Sequence, residues 1–133
     1  MLNVIQPMAD PKLMNPATLA FVGDVVYELL VRQRLVSGGD RPVGLLHNQA
    51  VAQVRASAQA AAYHLLEQQL TEEELAILKR GRNANGVHPP KNANPQDYRK
   101  ATGIEALFGY LYLCGRNGRI DELFEWIVRQ GEE

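Results

Sequence analysis

Two segments of the chain are apolar on almost every side when read as helices, and they constrain the fold more than any other feature. The first is Leu19 to Val31, in which Asp24 and Glu28 are the only charged residues. The second is Ala101 to Gly115, in which Glu105 is the only one. A helix that is apolar all round has to be buried. The sequence therefore predicts a helical fold with these two helices side by side at its centre.

Helix start and stop signals extend this prediction to about six helices. Asn15-Pro16 and Asn94-Pro95 each put a capping side chain before a proline, which the first helical position tolerates. Thr71 to Glu74 has the form of a capping box, and strand signals are nearly absent. The helices are predicted over about 15–36, 42–55, 56–69, 71–83, 94–113 and 119–130, with a kink at Ser57 between the second and the third. We expect a single all-α domain that spans residues 1–133.

Composition is typical of an ordinary globular protein of the cytoplasm. A length of 133 residues suffices for one sizeable core, and 46% hydrophobic with 22% charged residues excludes wholesale disorder. Cys114 is the only cysteine, which excludes a disulfide framework and favours a reducing compartment. The N-terminus has no basic and apolar leader, and no window reaches the roughly 18 apolar residues of a membrane span. We therefore expect a cytoplasmic protein without a membrane segment.

Asp24 and Glu105 are acids on helices that should be buried, where a carboxylate is costly unless it is paired or bound to a metal. Glu28 has a local partner, because Arg32 follows one turn later in the favourable order. Asp24 and Glu105 have no such partner within their helices. If the helices pack together, the two acids face each other and form a site for a hard divalent cation such as Mg²⁺. The alternatives are a solvated groove around Asp24 and Glu28, and a distant arginine that pairs with Glu105.

Positive charge is concentrated in one stretch, although the formal charge of the whole chain is -1. From Lys79 to Lys100, six cations face one acid, Asp97, so the stretch carries +5 and the rest of the chain -6. Only the contacting face has to be basic for a protein to bind nucleic-acid phosphates. The alternative is a solvated loop whose cations complement the C-terminal dipole of a helix. The predicted nucleic-acid contacts are Lys79, Arg80, Arg82, Asn83, Lys91, Arg99 and Lys100.

Three motifs resemble those of a known family. Leu19-Ala-Phe-Val-Gly-Asp-Val-Val-Tyr-Glu28 is similar to the signature helix of ribonuclease III catalytic domains, and Ala101 to Leu113 is similar to their second metal-binding helix. Leu78-Lys-Arg-Gly-Arg-Asn-Ala84, Pro90-Lys-Asn and Tyr98-Arg resemble specifically the short bacterial branch, Mini-ribonuclease III. The likeness covers almost the whole chain. It implies an all-α, homodimeric endoribonuclease that acts on double-stranded RNA with Mg²⁺.

The resemblance also assigns roles to single positions. The signature aspartate falls on Asp24 and the glutamate of the Glu-Ala-Leu-x-Gly motif on Glu105, which implies that both are catalytic and hold metal. Phe21 matches the aromatic residue that packs across the dimer in the family. Full-length ribonuclease III has three further acids, at positions that here are Ala17, Ala20 and Thr102. These departures imply a sparser site, completed by waters and RNA oxygens, and leave the number of metal ions open.

By the same resemblance, the substrate is precursor 23S ribosomal RNA, cut in the stem formed by its two ends to leave 5′-phosphates and 3′-hydroxyls. The chain ends at Glu133, so a separate double-stranded-RNA-binding domain is expected to be absent and the Lys79 to Lys100 stretch to bind RNA. The sequence leaves open whether a large-subunit ribosomal protein must first shape the RNA. Two alternatives remain: a non-catalytic ribonuclease III-like module that binds RNA during ribosome assembly, and a helical adaptor between proteins.

Overall fold

Six α-helices and one short 3-10 turn form the regular structure of residues 9–86 and 88–131, the part of the chain that this computed structural model describes. The turn is Pro11–Leu13, and the helices are α1 (Pro16–Ser37), α2 (Val43–Val54), α3 (Ala56–Leu66), α4 (Glu72–Arg82), α5 (Pro95–Leu113) and α6 (Asn117–Gly131). These ranges contain no strand, so the all-α prediction is confirmed. No helix within them is long and apolar enough for a membrane span. Residues 1–8, on which the expected absence of a leader rests, lie outside the described residues.

Three helices begin at the capping residues that the sequence predicts. Asn15 accepts a hydrogen bond from a backbone N–H in the first turn of α1, and Asn94 does the same for α5. Thr71 and Glu74 form a reciprocal capping box at the start of α4. These bonds satisfy N–H groups that would otherwise lack a partner, and so they fix where α1, α4 and α5 begin.

The predicted boundary between the second and third helices is confirmed at Arg55, whereas the predicted kink at Ser57 is absent, because Ser57 lies within α3. α2 and α3 are separate helices, and the one residue between them, Arg55, has an extended backbone with a ψ of 156°. The sequence from Leu45 to Leu66 contains no glycine or proline that would signal this break. The break allows α2 to pack against α1 while α3 packs against α5.

α5 lies at the centre of the fold, as predicted. It packs against α1, α3, α4 and α6, and every residue from Ala101 to Leu111 except Glu105 is buried. α1 differs from the prediction because only one of its sides is buried. On its other side, Phe21 is 80% exposed and Val25 is 67% exposed. An apolar outer side of this kind calls for a partner surface.

α1 and α5 cross with their backbones in contact because each helix has a glycine at the crossing. A Cβ on Gly23 would overlap the carbonyl oxygen of Glu105, and a Cβ on Gly109 would overlap that of Leu19. Only glycine permits this approach, since every other residue has a Cβ. The crossing brings Asp24, the residue after Gly23, beside Glu105.

Candidate active site

Asp24 of α1 and Glu105 of α5 lie close enough for their carboxyl groups to interact directly. Asp24 is exposed, whereas Glu105 is partly buried where the two helices cross. The structure thus brings together the two acids that stand out in the sequence. Glu28, the other acid of α1, instead accepts a hydrogen bond from Arg32 at 2.8 Å, the local ion pair that the sequence predicts.

The Glu105 carboxyl group resists ionisation in these surroundings. Burial, reinforced by the negative charge of Asp24 and by the hydrogen bond between the two acids, raises the pKa of Glu105 to about 8. A hydrogen bond from Gln59 acts in the opposite direction, because it favours the charged carboxylate. A divalent cation beside both groups would favour the charged form of each. The chemistry of this pair therefore fits a hard cation that binds oxygen, such as Mg²⁺.

Asp24 and Glu105 would supply only two protein side chains as ligands, which is a small part of the coordination shell of a divalent cation. Across the described residues, no group of three or more His, Cys, Asp or Glu side chains is arranged to hold a metal. Mg²⁺ suits such a sparse site, since it commonly keeps several waters and binds through one or two carboxylates together with substrate phosphates.

Gln59 of α3 is a site residue that the sequence analysis missed. Its side chain contacts Glu105 and is only 2% exposed. It lies in an alanine-rich run, Ala58 to Ala62, where a single glutamine looks like a residue that faces solvent. Nothing in this pattern indicates that Gln59 faces an acid on another helix.

The predicted nucleic-acid contacts lie at the end of α4, in the loop after it and in the first turns of α5. Lys79, Lys91 and Arg99 are exposed and make no side-chain hydrogen bond or ion pair to another described residue. Arg80 differs, because it donates to the carbonyl oxygens of Lys12 and Met14, at 2.8 Å each. It therefore anchors the segment that leads into α1.

Side chains of α3 contact two more of the predicted nucleic-acid contacts, Arg82 and Lys100. Arg82 donates to the Tyr63 hydroxyl at 2.9 Å, and its guanidinium lies 5.9 Å from the centre of the tyrosine ring. Arg82 also donates to Asn83 Oδ1 at 3.1 Å. Lys100 Nζ lies 2.9 Å from His64 Nε2. The cations were predictable from the sequence, whereas Tyr63 and His64, the side chains that orient them, were not.

An open cavity of about 400 Å³ lies between the start of α1 and the end of α4. Its lining combines two cations, Lys79 and Arg80, with the amides of Asn15, Asn83 and Asn85. Cations and amides are the groups that contact phosphate and sugar oxygens in nucleic-acid complexes. The cavity thus extends the polar surface of this part of α4 as far as the N-terminus of α1.

The sequence matches a defined family over most of its length. The ribonuclease III domain matches residues 17–116. A Mini-ribonuclease 3 from Symbiobacterium thermophilum is 47% identical over 118 residues, which are 89% of this chain and 91% of that protein. One from Brevibacillus brevis is 47% identical over 125 residues, 92% of this chain and 93% of that protein. The chain belongs to the ribonuclease III family. Within it, the chain falls in the Mini-ribonuclease III branch and is an endoribonuclease by class.

The fold is shared with a protein of known crystal structure. A crystal structure of a protein from Fusobacterium nucleatum superposes with a TM-score of 0.81 at 28% sequence identity. The match covers 91% of this chain and 98% of that one. The two proteins therefore share essentially the whole helical architecture.

Full-length ribonuclease III has three further acids, and this chain has no charged residue at the corresponding positions. Ala20 is buried, and Ala17 is partly buried. The Thr102 hydroxyl donates to the Tyr98 carbonyl oxygen at 3.0 Å and is therefore engaged within α5. None of these three positions therefore adds a carboxylate to the pair formed by Asp24 and Glu105.

Proposed function

We propose that the protein is a Mg²⁺-dependent enzyme that cleaves double-stranded RNA in the cytoplasm. The observation that carries this proposal is the contact between the carboxyl groups of Asp24 and Glu105 on two crossing helices. No cation of the described residues pairs with either carboxyl group. A pair of carboxylates without a cationic partner is the kind of site through which metal-dependent phosphodiester hydrolases hold their metal ions.

In this proposal, Asp24 and Glu105 hold the metal through their carboxylate oxygens. A Mg²⁺ ion held there would supply activation of the attacking water and neutralisation of charge on the scissile phosphate and the leaving oxygen. The α1–α5 crossing fixes the spacing of the two carboxylates, because the glycine contacts leave little room for the helices to shift. By family resemblance, the products carry 5′-phosphate and 3′-hydroxyl ends.

The exposed cations near the site are the proposed contacts to the RNA backbone. Lys79, Lys91 and Arg99 have no partner among the described residues and are free to meet phosphates. Arg82 and Lys100 also lie on this surface, where Tyr63 and His64 hold them. Double-stranded RNA is recognised through its shape, phosphates and 2′-hydroxyls rather than its base edges. A surface of cations and amides suits this mode of binding.

We propose precursor 23S ribosomal RNA as the natural substrate, on the basis of the resemblance to the Mini-ribonuclease III branch. Its two ends pair to form a stem, and a stem is a double helix that a shape-reading surface can bind. The single cysteine is consistent with the reducing cytoplasm, where this RNA is processed. A large-subunit ribosomal protein that shapes the stem is a further proposed partner.

We also propose that the enzyme is a homodimer formed through the outer side of α1. Phe21, Val25, Leu29 and Val36 form an apolar stripe on this side, and each is at least 36% exposed. A stripe on one helix is self-complementary when two copies pair about a two-fold axis. Such pairing would bury the outer side of α1, and the helix would then be buried on all sides, as its sequence predicts.

A cavity at the far end of the stripe fits this arrangement. It has a volume of about 190 Å³, and its lining includes Leu35, Val36, Val43 and His47. An antiparallel pairing of α1 helices centred near Leu29 brings the aromatic ring at position 21 of one copy opposite this cavity in the other. Phe21, 80% exposed in one chain, would then be enclosed.

Cleavage of a duplex RNA by purified variants tests the catalytic assignment. Asp24→Asn and Glu105→Gln each remove one carboxylate, and each should reduce the cleavage rate by at least 100-fold, as expected when a metal ligand is lost. A chelator should abolish cleavage by the unaltered enzyme. Glu125→Gln, at an exposed surface position of α6, is the control and should cleave normally. Unchanged cleavage by both site variants would contradict the assignment.

Sedimentation equilibrium tests the dimer. Phe21→Ala should shift the protein towards monomer, because it removes the largest apolar side chain of the stripe. Leu13→Ala is a matched control, since Leu13 is 79% exposed but lies before α1. Dimers of equal stability in Phe21→Ala and Leu13→Ala would exclude this interface.

The competing function is a non-catalytic module that binds ribosomal RNA during assembly. The absence of charged ligands at Ala17, Ala20 and Thr102 is the observation in its favour. It predicts RNA binding that is indifferent to Mg²⁺ and no cleavage of either a generic duplex or a precursor 23S transcript. Cleavage confined to the terminal stem of the transcript would support the enzyme and its proposed substrate together.

A further inference from the structure

Gln59 belongs to a small set of side chains that are polar and yet almost inaccessible. Within the described residues, this set consists of Gln59, Glu74 and Thr102. Glu74 pairs with Arg119 at 2.8 Å, and Thr102 donates to a carbonyl oxygen of its own helix. A buried amide also needs a hydrogen bond to offset its lost hydration. For Gln59 the partner is Glu105, the buried member of the proposed metal-binding pair.

The surroundings of Gln59 suggest that its amide group has a specific use. α3 is rich in alanine, and an apolar side chain at position 59 would pack against α5 without any loss of hydration. α3 also approaches α5 closely near the site, since a Cβ on Gly103 would lie 3.3 Å from the ring of Tyr63. The close approach brings a side chain of α3 within reach of Glu105, two residues further along α5.

The neutrality of Gln59 suits a cation site. A lysine or arginine in its place would pair with the two acids and compete with the metal, and another acid would add to their mutual repulsion. An amide N–H donates to the carboxylate and leaves the negative charge of the site intact. Carboxylates that bind metals are commonly held by such outer partners, whose loss weakens metal binding.

We propose that Gln59 is a positioning residue that holds the Glu105 carboxylate in the orientation required to bind the divalent cation. This inference rests on the proposed function, because it assumes that Glu105 is a metal ligand. It predicts that Gln59 acts on the affinity for the cation and leaves the chemical step on bound RNA intact.

Binding of Mn²⁺ alone, followed by the electron paramagnetic resonance signal of the free ion, tests this role without RNA or turnover. Gln59→Met retains the length of the side chain but cannot donate a hydrogen bond. It should weaken Mn²⁺ binding about 10- to 100-fold. The Mg²⁺ concentration for half-maximal cleavage of a duplex RNA should rise in proportion, with the rate at saturating Mg²⁺ restored. Gln68→Met, at an exposed glutamine just after α3, is the matched control and should bind Mn²⁺ normally.

The outcomes separate positioning from packing. Gln59→Leu is a second apolar variant of similar volume, for use if the methionine variant does not fold. A lowered melting temperature with unchanged Mn²⁺ affinity, in either folded variant, would overturn the inference. If the unaltered protein neither binds Mn²⁺ nor cleaves duplex RNA with Mg²⁺, the proposed function itself fails, and the inference fails with it.

Discussion

Glu105 is an acid whose surroundings disfavour its charge. Burial and the neighbouring Asp24 raise its pKa to about 8, well above the usual range of a glutamate. Without a bound cation, this pair therefore destabilises the folded chain at neutral pH. Sites built for function often have such a cost, and substitutions that relieve it stabilise the fold while they remove activity.

Glu105→Gln should accordingly stabilise the metal-free protein by about 0.5–2 kcal/mol. The amide has nearly the shape of the carboxyl group but is always neutral, so it removes the cost of protonating Glu105 at neutral pH or of burying its charge beside Asp24. Thermal unfolding in the presence of a chelator measures the effect, with Glu125→Gln as the exposed control. A melting temperature below that of the unaltered protein would mean that the carboxyl group is net stabilising even without metal.

Single residues were predictable where their surroundings in the sequence were unusual for their type. Asp24 and Glu105 stand out because acids are rare in long apolar helices, and the structure brings them together. Gln59 was not predictable, because its partner lies on a different helix and its own helix looks like an ordinary surface helix. The partners of Arg80 were hidden for the same reason, since they are carbonyl oxygens at positions 12 and 14.

At the scale of elements, the crossing of α1 and α5 determines the geometry of the site. Gly23 and Gly109 let the two backbones touch, and the touching backbones bring an acid of each helix together. The same close packing leaves no space for a methyl group at either glycine. The stability of the crossing and the spacing of the acids are therefore coupled.

Gly109→Ala should destabilise the protein by about 3 kcal/mol, the upper end of the usual cost of overpacking. Its Cβ would overlap the carbonyl oxygen of Leu19, and a backbone atom cannot move aside without separating the helices. The folded fraction should also cleave RNA more slowly, since the separation pulls Asp24 away from Glu105. Urea unfolding and cleavage assays on the same preparation measure both effects.

The matched control is Gly118→Ala in α6. A Cβ at Gly118 would meet no atom within 4 Å, so the alanine should stabilise the protein slightly, by about 0.4–1 kcal/mol, through a less flexible unfolded chain. Equal stabilities of the two variants would show that the crossing can relax around a methyl group.

The helices themselves were predictable to within a few residues where a local signal marks their ends. Asn15, Thr71 and Asn94 cap the helices that they predict, because capping depends on neighbours in the sequence. The break at Arg55 lies at the predicted boundary between the second and third helices, although no capping side chain marks it, and it lets α2 and α3 pack against different helices. The turn Pro11–Leu13 was not predicted either, although Asp10 accepts a hydrogen bond from Lys12 there.

At the scale of the whole molecule, charge is segregated although the sum is nearly zero. The stretch from Lys79 to Lys100 carries +5 and the remainder -6, so the formal charge of -1 describes neither part. Counterions are released only from the phosphates that the basic surface contacts. We therefore expect RNA binding through one face, by a small number of phosphate contacts.

The salt dependence of RNA binding measures how many contacts there are. In a plot of the logarithm of the binding constant against that of the salt concentration, Lys79→Gln should reduce the slope by about 1, and so should Lys91→Gln. Both lysines are exposed and have no partner among the described residues, so each substitution should remove a phosphate contact and leave the fold intact. Arg129→Gln on α6 is the control, since Arg129 pairs with Glu125 outside the basic stretch and its loss should leave the slope unchanged. The measurements are made with a chelator to prevent cleavage, and a slope that neither lysine variant alters would place the RNA on another face of the molecule.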